Sequence, residues 1–338
     1  MTPCGTRKIV PRAARLARCC RHGLDAAPCA SLPAAILLVV ASPARAHSDG
    51  APPSPADFWT MWSFQPSVLL PLGLATALYT RGLHLAWARA GQGRGVRTWQ
   101  AACFAGGIAA LVAALVWPLD AWGESLFSAH MAQHITLMGL AAPLLVLGQP
   151  LATMTRALPR RWQRWFGALA QAAAWRRAQR LLSASGVATA MMLGVFLFWH
   201  APRALAVALE DDLVHAVMHG SIFAAALPFW TMIARSGNRG FGVRIAALFV
   251  CFKFSLIFGA LLTFSGRALY PAYGAWPEAW GLTLIEDQQL AGVLMMTAAA
   301  MMYLVAALVV AAAWFAAMDR TRIASPCDAA AAANRAGS

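Results

Sequence analysis

The chain has 338 residues, of which 60% are hydrophobic and only 12% are charged. Soluble domains carry about 25% charged residues, so this composition excludes an ordinary soluble protein and indicates a polytopic membrane protein. A formal charge of +14 could indicate a nucleic-acid partner. The basic residues lie between apolar runs, however, and form no binding face, so we predict contact with membrane lipid and no nucleic-acid partner.

The first 46 residues are typical of a cleavable signal peptide. A basic region precedes an apolar core from Leu32 to Ala41, which is too short to span a bilayer. The sequence Ala44-Arg45-Ala46 fits the small-residue cleavage pattern of such signals. Residues 1–46 are therefore predicted to be removed, and residues 47–65 to form an extended lead-in on the outer side.

Seven apolar runs follow, and a spanning helix needs about 20 such residues. The predicted spans are 66–87, 98–117, 125–148, 185–206, 212–234, 242–264 and 288–317. The predicted fold class is all-α: a polytopic integral membrane protein with seven transmembrane helices at 66–318, after a cleavable signal peptide. An alanine-rich tail at 319–338 is predicted to be disordered and cytoplasmic.

The distribution of arginines sets the orientation. The first, third and fifth connections and the tail are rich in arginine, whereas the alternate connections collect acidic residues. Basic connections stay on the cytoplasmic side, so the mature N-terminus is predicted outside and the C-terminus inside. The third connection, 151–183, alternates tryptophans with arginines. This pattern favours an amphipathic helix on anionic lipid, and a protein-binding surface is the alternative.

Five histidines fall at one depth, in the outer third of the predicted membrane. They are His130 and His134 in the third span, His200 in the fourth, and His215 and His219 in the fifth. Ionisable side chains are costly in a membrane, and i, i+4 spacing places each pair on one helix face. Because imidazole binds copper, zinc and iron, we predict a metal or haem site. The alternative is a purely structural hydrogen-bond network.

Other polar or sulfur-bearing residues are predicted to be accessory to this site. Met131 and Met218 could supply thioether ligands for Cu(I), although such methionines more often fill gaps in the core. Asp287 could orient a histidine or lie favourably at its own helix N-terminus, and Gln288 follows it. Lys253, in the middle of the sixth span, is predicted to be a buried charge whose partner the sequence does not identify.

Acidic residues are predicted to form an outer mouth that attracts cations. They precede the third span and the fifth span, at Asp120, Glu124, Glu210, Asp211 and Asp212. The alternative is that these are ordinary solvated loop carboxylates, with no shared role.

Six short motifs in order carry a family resemblance. They are Trp117-Pro118-Leu119-Asp120, His130 to His134, Ala142 to Gly148, Trp199 to Pro202, Leu213 to His219 and Glu286 to Gly292. Over residues 60–318 the chain resembles the multi-spanning CtaG family of cytochrome c oxidase assembly proteins. Ala291-Gly292 stands where the family pattern would have Gly-Gly.

The resemblance implies a protein of the bacterial inner membrane, with a periplasmic N-terminus and a cytoplasmic C-terminus. It implies an assembly factor and not an enzyme, which helps an aa-type oxidase to mature by assisting copper delivery. The partners that it implies are oxidase subunits or a periplasmic copper chaperone. The expected mechanism is capture of copper by neutral imidazoles, transient binding and handover.

Three other functions are weighed against this prediction. A copper transporter needs polar groups that continue to the inner side, where only Arg81, His84 and Lys253 are available. A b-type haem electron carrier could pair His134 with a histidine of the fifth span. A membrane di-iron hydroxylase or desaturase is disfavoured, because the chain contains no HxxHH motif.

Overall fold

The structure is a computed structural model that describes residues 54–56, 58–235 and 240–336, with side chains described as far as residue 319. The predicted signal peptide, 1–46, lies outside the described residues. Within the described ranges the chain is helical and contains no strand. Six helices, or seven if one bent pair forms a single span, are long and apolar enough to cross a membrane. The prediction of an all-α, polytopic membrane protein is therefore confirmed.

The helices are numbered in chain order. The first group is α1 (Pro66–Ala90), α2 (Thr98–Leu115), α3 (Leu119–Ser125) and α4 (Phe127–Ile135). A π-helical segment (Thr136–Ala141) then leads to α5 (Ala142–Gly148), α6 (Pro150–Ala157), α7 (Arg160–Gln171), α8 (Ala173–Leu182) and α9 (Ser185–Trp199). The chain continues with α10 (Pro202–Glu210), α11 (Asp212–Ile233), α12 (Phe241–Phe264) and two 3-10 turns (Pro271–Tyr273, Trp276–Trp280). The last elements are α13 (Leu284–Leu294), a second π-helical segment (Met295–Ala299) and α14 (Ala300–Ala336).

The predicted fourth span, 185–206, is not one straight helix. α9 ends at Trp199, and α10 begins at Pro202. The residue before a proline disfavours helical backbone, and Ala201 accordingly has an extended conformation with ψ 128°. α9 has only 15 residues and is long enough for a span only together with α8, from which it is bent by 68°. The break places His200 at the C-terminal end of α9.

The centre of the bundle is formed by α4, α5 and α11. In the most apolar windows of these spans, 56% of Phe127–Gly148 and 72% of Asp212–Ile233 is buried, against 33% or less for the other long helices. α4 packs on α3 and α13, α5 on α2 and α11, and α9 on α11. The helices that carry the HxxxH pairs are thus the ones best shielded from the surroundings.

The first π-helical segment joins α4 to α5 with a widened turn, and such turns often occur near functional sites. A widened turn shifts carbonyl groups away from their usual helical partners. The indole Nε1 of Trp230, on α11, donates to the carbonyl of Met138 at 2.6 Å. This bond holds α11 against the segment that follows His134.

A glycine contact brings α12 and α13 close together. A Cβ atom at Gly259 would lie 2.7 Å from the carbonyl oxygen of Gly292, and one at Gly292 would lie 2.6 Å from the carbonyl oxygen of Gly259. Small residues at such positions allow membrane helices to approach closely. The contact fixes α13, which carries Asp287, beside its neighbour.

The third connection is helical, as the sequence predicts. The third connection contains three helices, and α7 among them has no buried residue, with Trp162 and Trp165 both exposed. This is the arrangement expected of an amphipathic helix on a surface, and its contact with lipid stays a prediction.

Residues 319–336, assigned from the sequence to a disordered tail, continue α14 as helix. Alanine, the strongest helix former, dominates that segment.

Candidate metal centre

One histidine pair lies on the short helix α4 and the other near the start of α11, at one end of the bundle that we call the histidine end. On α11, the carboxylate of Asp211 accepts hydrogen bonds from the backbone N–H groups of Leu213 (2.8 Å) and Val214 (3.0 Å). This N-cap starts the helix at Asp212 and thereby places His215 in its first turn. His219 follows one turn later on the same face.

The structure brings all five predicted histidines together. The ring centroids of His130 and His134 are 4.4 Å apart, and those of His215 and His219 are 4.5 Å apart. Across the two helices, His130 lies 5.4 Å from His219. The fifth ring, that of His200, lies 5.2 Å from His134. Each of the five rings therefore has another histidine ring whose centroid is at most 5.2 Å away. Four of the five side chains are buried, and His215 is half-buried.

Three of these residues offer nitrogens to a common point. One ring nitrogen each from His130, His215 and His219 lies within 4.8 Å of the other two. Two nitrogens that bind one ion at about 2.0–2.1 Å each are at most about 4.2 Å apart. The three imidazole rings would therefore need to move only slightly closer together to bind one ion. The donor set is nitrogen alone, which suits copper, zinc or iron.

Several buried imidazole nitrogens of the cluster have no hydrogen-bond partner among the described residues. Among the described residues, neither ring nitrogen of His134 has a hydrogen-bond partner, and nor does Nε2 of His219. Buried polar atoms are normally paired, so each exception needs an explanation. A hydrogen-bond network made of protein atoms alone would pair the nitrogens at these positions, and no described protein atom pairs with those of His134 or with Nε2 of His219.

His200 is held by contacts at both of its ring nitrogens. Its Nδ1 lies 2.7 Å from the carbonyl oxygen of Phe196, and its ring stacks on the Phe196 ring with centroids 3.5 Å apart. Its Nε2 lies 3.1 Å from the Sδ atom of Met131. Both Met131 and Met218 are buried in the apolar core, and the sulfur of Met131 is the one that contacts a histidine of the cluster. Ligation by either methionine stays a prediction.

Asp287 has a partner that neither sequence-based interpretation identified. Its carboxylate accepts hydrogen bonds from the backbone N–H groups of Phe127 (2.6 Å) and Ser128 (3.1 Å), at the start of α4. α4 has Leu126 at its N-cap position, which offers no side-chain acceptor. Asp287 therefore caps the helix of His130 and His134 from a distant part of the chain, and its side chain is completely buried.

Gln288 and two tyrosines secure the connection between α12 and α13 over the histidine end. The amide of Gln288 accepts from the N–H of Leu269 at 2.7 Å and donates to the carbonyl of Arg267 at 3.1 Å. Tyr270 then donates to the backbone carbonyl of His200 at 2.8 Å, and Tyr273 donates to the carbonyl of Gly123 at 3.3 Å. The sequence alone gave no signal for these two tyrosines, because their partners are backbone atoms.

Only three of the five carboxylates predicted to form an acidic mouth line the same pocket. Asp120, Glu124 and Asp212 line a pocket of about 70 Å³ that is also lined by His215 and His219. Glu210 and Asp211 are exposed residues outside that lining. Gln133, which the sequence analysis did not single out, donates to Oδ1 of Asp120 at 3.1 Å and to the carbonyl of Ala114 at 2.6 Å. It joins the acidic pocket to the helix of His130 and His134.

Lys253 lies on the surface of the helix bundle and not in its core, and its burial within a membrane stays a prediction. Its side chain is exposed on the outer face of α12, whereas Cys251 and Ser255, on the face towards the bundle, are buried. The ammonium Nζ lies 5.4 Å from the ring centroid of Phe249, one turn earlier on the helix. A long, flexible side chain can reach along a helix surface in this way. His84, on α1, is exposed as well.

A comparison with protein-family models places these features in a family. The model described as cytochrome c oxidase caa3 assembly factor (Caa3_CtaG) matches residues 77–317, a range that contains all five clustered histidines and Asp287. Comparisons with curated proteins and with solved structures found no match. The resemblance identified from the six motifs is confirmed. The chain belongs to the family of cytochrome c oxidase caa3 assembly factors.

Proposed function

We propose that this assembly factor binds copper transiently at the histidine cluster and passes it to an oxidase subunit, directly or through a periplasmic copper chaperone. The observation that carries the proposal is the placement of three imidazole nitrogens, from two helices, within 4.8 Å of one another. The unpaired nitrogens of neighbouring His134 support it. Copper is the metal that the family's oxidase connection favours among those that imidazole binds.

The geometry is suited to a site that releases its metal. The donor set of His130, His215 and His219 has three nitrogens and no thiolate. A site with three protein ligands keeps a position open, whereas closed four-ligand sites hold a structural metal. His215 is only half-buried, so one edge of the cluster is accessible. A partner's ligand can therefore approach the ion before the histidines let it go.

The proposed location is the bacterial inner membrane, with the histidine end facing the periplasm. The arginine-rich helices α7 and α8 lie between α5 and α9, at the opposite end of the bundle from the start of α4. Arginine-rich connections are retained on the cytoplasmic side. This arrangement gives a periplasmic N-terminus and a cytoplasmic C-terminus.

The two main alternatives are less well supported by the geometry. A haem needs a flat cleft between two axial imidazoles, but His134 and His219 have centroids 5.2 Å apart and ring planes that cross at 82°. His130 lies within 5.4 Å of both rings. A copper transporter needs a polar path towards the inner side, and Lys253 and His84 are exposed on the surface of the bundle instead.

Deletion of the gene in its host tests the proposal. We expect the deletion strain to lose activity and copper from its caa3-type oxidase, and added copper to restore part of both. The wild-type gene and a His84→Ala variant should complement the deletion fully, since His84 lies outside the cluster. A His130→Ala, His134→Ala variant should not complement it, although the protein is present in the membrane. Oxidase activity and oxidase copper content are the measurements, and full complementation by the double variant would exclude the histidine site.

A further inference from the structure

The acidic pocket lies directly beside the histidine cluster. It is bordered by the start of α1, by α3 and by the first turns of α11. Its volume of about 70 Å³ is enough for several waters, because one water requires about 10–15 Å³. The pocket is therefore wide enough to accept a partly hydrated cation.

A buried and unpartnered imidazole connects the pocket to the cluster. His219 lines the pocket, is only 7% exposed, and has an Nε2 atom without a hydrogen-bond partner among the described residues. Its ring centroid is 5.4 Å from that of His130. A cation inside the pocket would thus be beside one of the three residues whose nitrogens converge.

The carboxylates lead from the surface to this imidazole. Asp212 is exposed in the first turn of α11, one turn before His215. Asp120 and Glu124, four residues apart on α3, are half-buried and share one helix face. Asp120 is held by Gln133, which lies between His130 and His134 on α4. The acidic groups therefore have graded exposure, from the open rim to the buried ligands.

We propose that copper enters the histidine cluster sideways through this pocket, as Cu(II), with Asp212, Glu124 and Asp120 as the carboxylates that receive it. The proposal rests on the copper-binding function proposed above and adds a route and an oxidation state. Hard oxygen ligands suit a divalent ion, whereas Cu(I) prefers thiolate and thioether sulfur. The residues that line the pocket include no cysteine and no methionine. A negatively charged cleft also raises the association rate of cations.

The rate of copper uptake by the purified, full-length protein in nanodiscs tests this route. Cu(II) is supplied as its glycine complex, and Cu(I) is supplied under reducing, anaerobic conditions with a chromogenic Cu(I) chelator as competitor. The variants are Asp212→Asn and Glu124→Gln. The matched control is Glu210→Gln, which removes an exposed carboxylate two residues from Asp212 but outside the pocket lining.

We expect both pocket variants to take up Cu(II) about tenfold more slowly than wild type at low ionic strength. Asp212→Asn removes an exposed charge, and electrostatic focusing accelerates association by about 10- to 1,000-fold, whereas Glu124→Gln removes an oxygen ligand that receives the ion. The effect of Asp212→Asn should shrink as salt is added. The final copper content and the behaviour of Glu210→Gln should match wild type, and Cu(I) uptake should slow much less than Cu(II) uptake, because a monovalent ion is attracted less strongly and prefers sulfur ligands. Asp212 is exposed, so its replacement should leave the fold intact, and the thermal unfolding midpoint checks this.

The outcomes separate the two proposals. Unchanged Cu(II) uptake in both pocket variants, with full copper content, would overturn the route and leave the histidine site standing. Equal slowing of Cu(I) and Cu(II) would overturn the assignment of the oxidation state. A wild-type protein that takes up neither ion would overturn the copper-binding function itself.

Discussion

Replacing His130 and His219 together by alanine is expected to abolish copper binding. The two residues supply converging nitrogens from α4 and α11, and their loss leaves His215 as the single member of the three-nitrogen group. Loss of a residue that merely orients a ligand costs about 10- to 100-fold in metal affinity, so removal of two ligands should exceed about 100-fold. Chelator competition and the copper content after size-exclusion chromatography are the measurements.

The same double variant should remain folded and inserted. In the wild-type protein, the buried Nε2 atom of His219 has no hydrogen-bond partner among the described residues, so truncation of His219 leaves no broken hydrogen bond there. His84→Ala is the matched control, because it removes an exposed imidazole from α1. Wild-type copper affinity in the double variant would show that these two histidines are not ligands.

Replacing Asp287 by alanine is expected to be the most destabilising single change at the histidine end. It removes the acceptor for two buried N–H groups, those of Phe127 and Ser128. A buried donor left without a partner costs about 1–3 kcal/mol, so the loss of the acceptor for two donors should lower the free energy of unfolding by about 2–6 kcal/mol. Copper affinity should fall as well, since the start of α4 positions His130. Thermal unfolding in detergent and copper titration are the two measurements.

Two further variants make the Asp287 test specific. Asp287→Asn retains one side-chain oxygen as an acceptor and should recover part of both losses. Glu286→Ala removes the neighbouring carboxylate, which is exposed and caps its own helix through Thr283. It should lower stability much less and leave copper affinity unchanged. Equal effects of Glu286→Ala and Asp287→Ala would show that the cap on α4 has no special role.

The histidine cluster was predictable because two independent signals coincide. The arginine distribution predicts the orientation of each span, and the predicted orientation places the five histidines at one depth. The i, i+4 spacing then fixes which residues share a face of α4 and of α11. These rules do not determine how helices pack, so the closeness of His134 and His200 could not be derived from them. It depends on Pro202, which ends α9 and leaves His200 at the helix terminus.

The roles of Asp287 and Lys253 could not be predicted, for different physical reasons. Asp287 bonds to backbone N–H groups 159 and 160 residues away, and such partners leave no mark in the side-chain pattern. Lys253 lies on a helix that is apolar around most of its circumference. Hydrophobic periodicity therefore cannot tell the outer face of this helix from its buried face.

The predicted acidic mouth shows a further limit of sequence-based prediction. All five carboxylates were predicted on the basis of their position near the outer ends of two spans. Asp211 is instead used as the N-cap of α11, and only the next residue, Asp212, reaches the pocket. A difference of one residue in the helix start decides which carboxylate can meet a cation, and helix boundaries are the least reliable part of a sequence-based prediction.

X-ray absorption spectroscopy at the copper edge of the loaded, wild-type protein tests the central claim most directly. The histidine cluster predicts a first shell of nitrogen or oxygen atoms at about 2.0 Å, with the outer-shell scattering of at least three imidazole rings. A first shell dominated by sulfur at about 2.3 Å, or a spectrum without imidazole scattering, would contradict it.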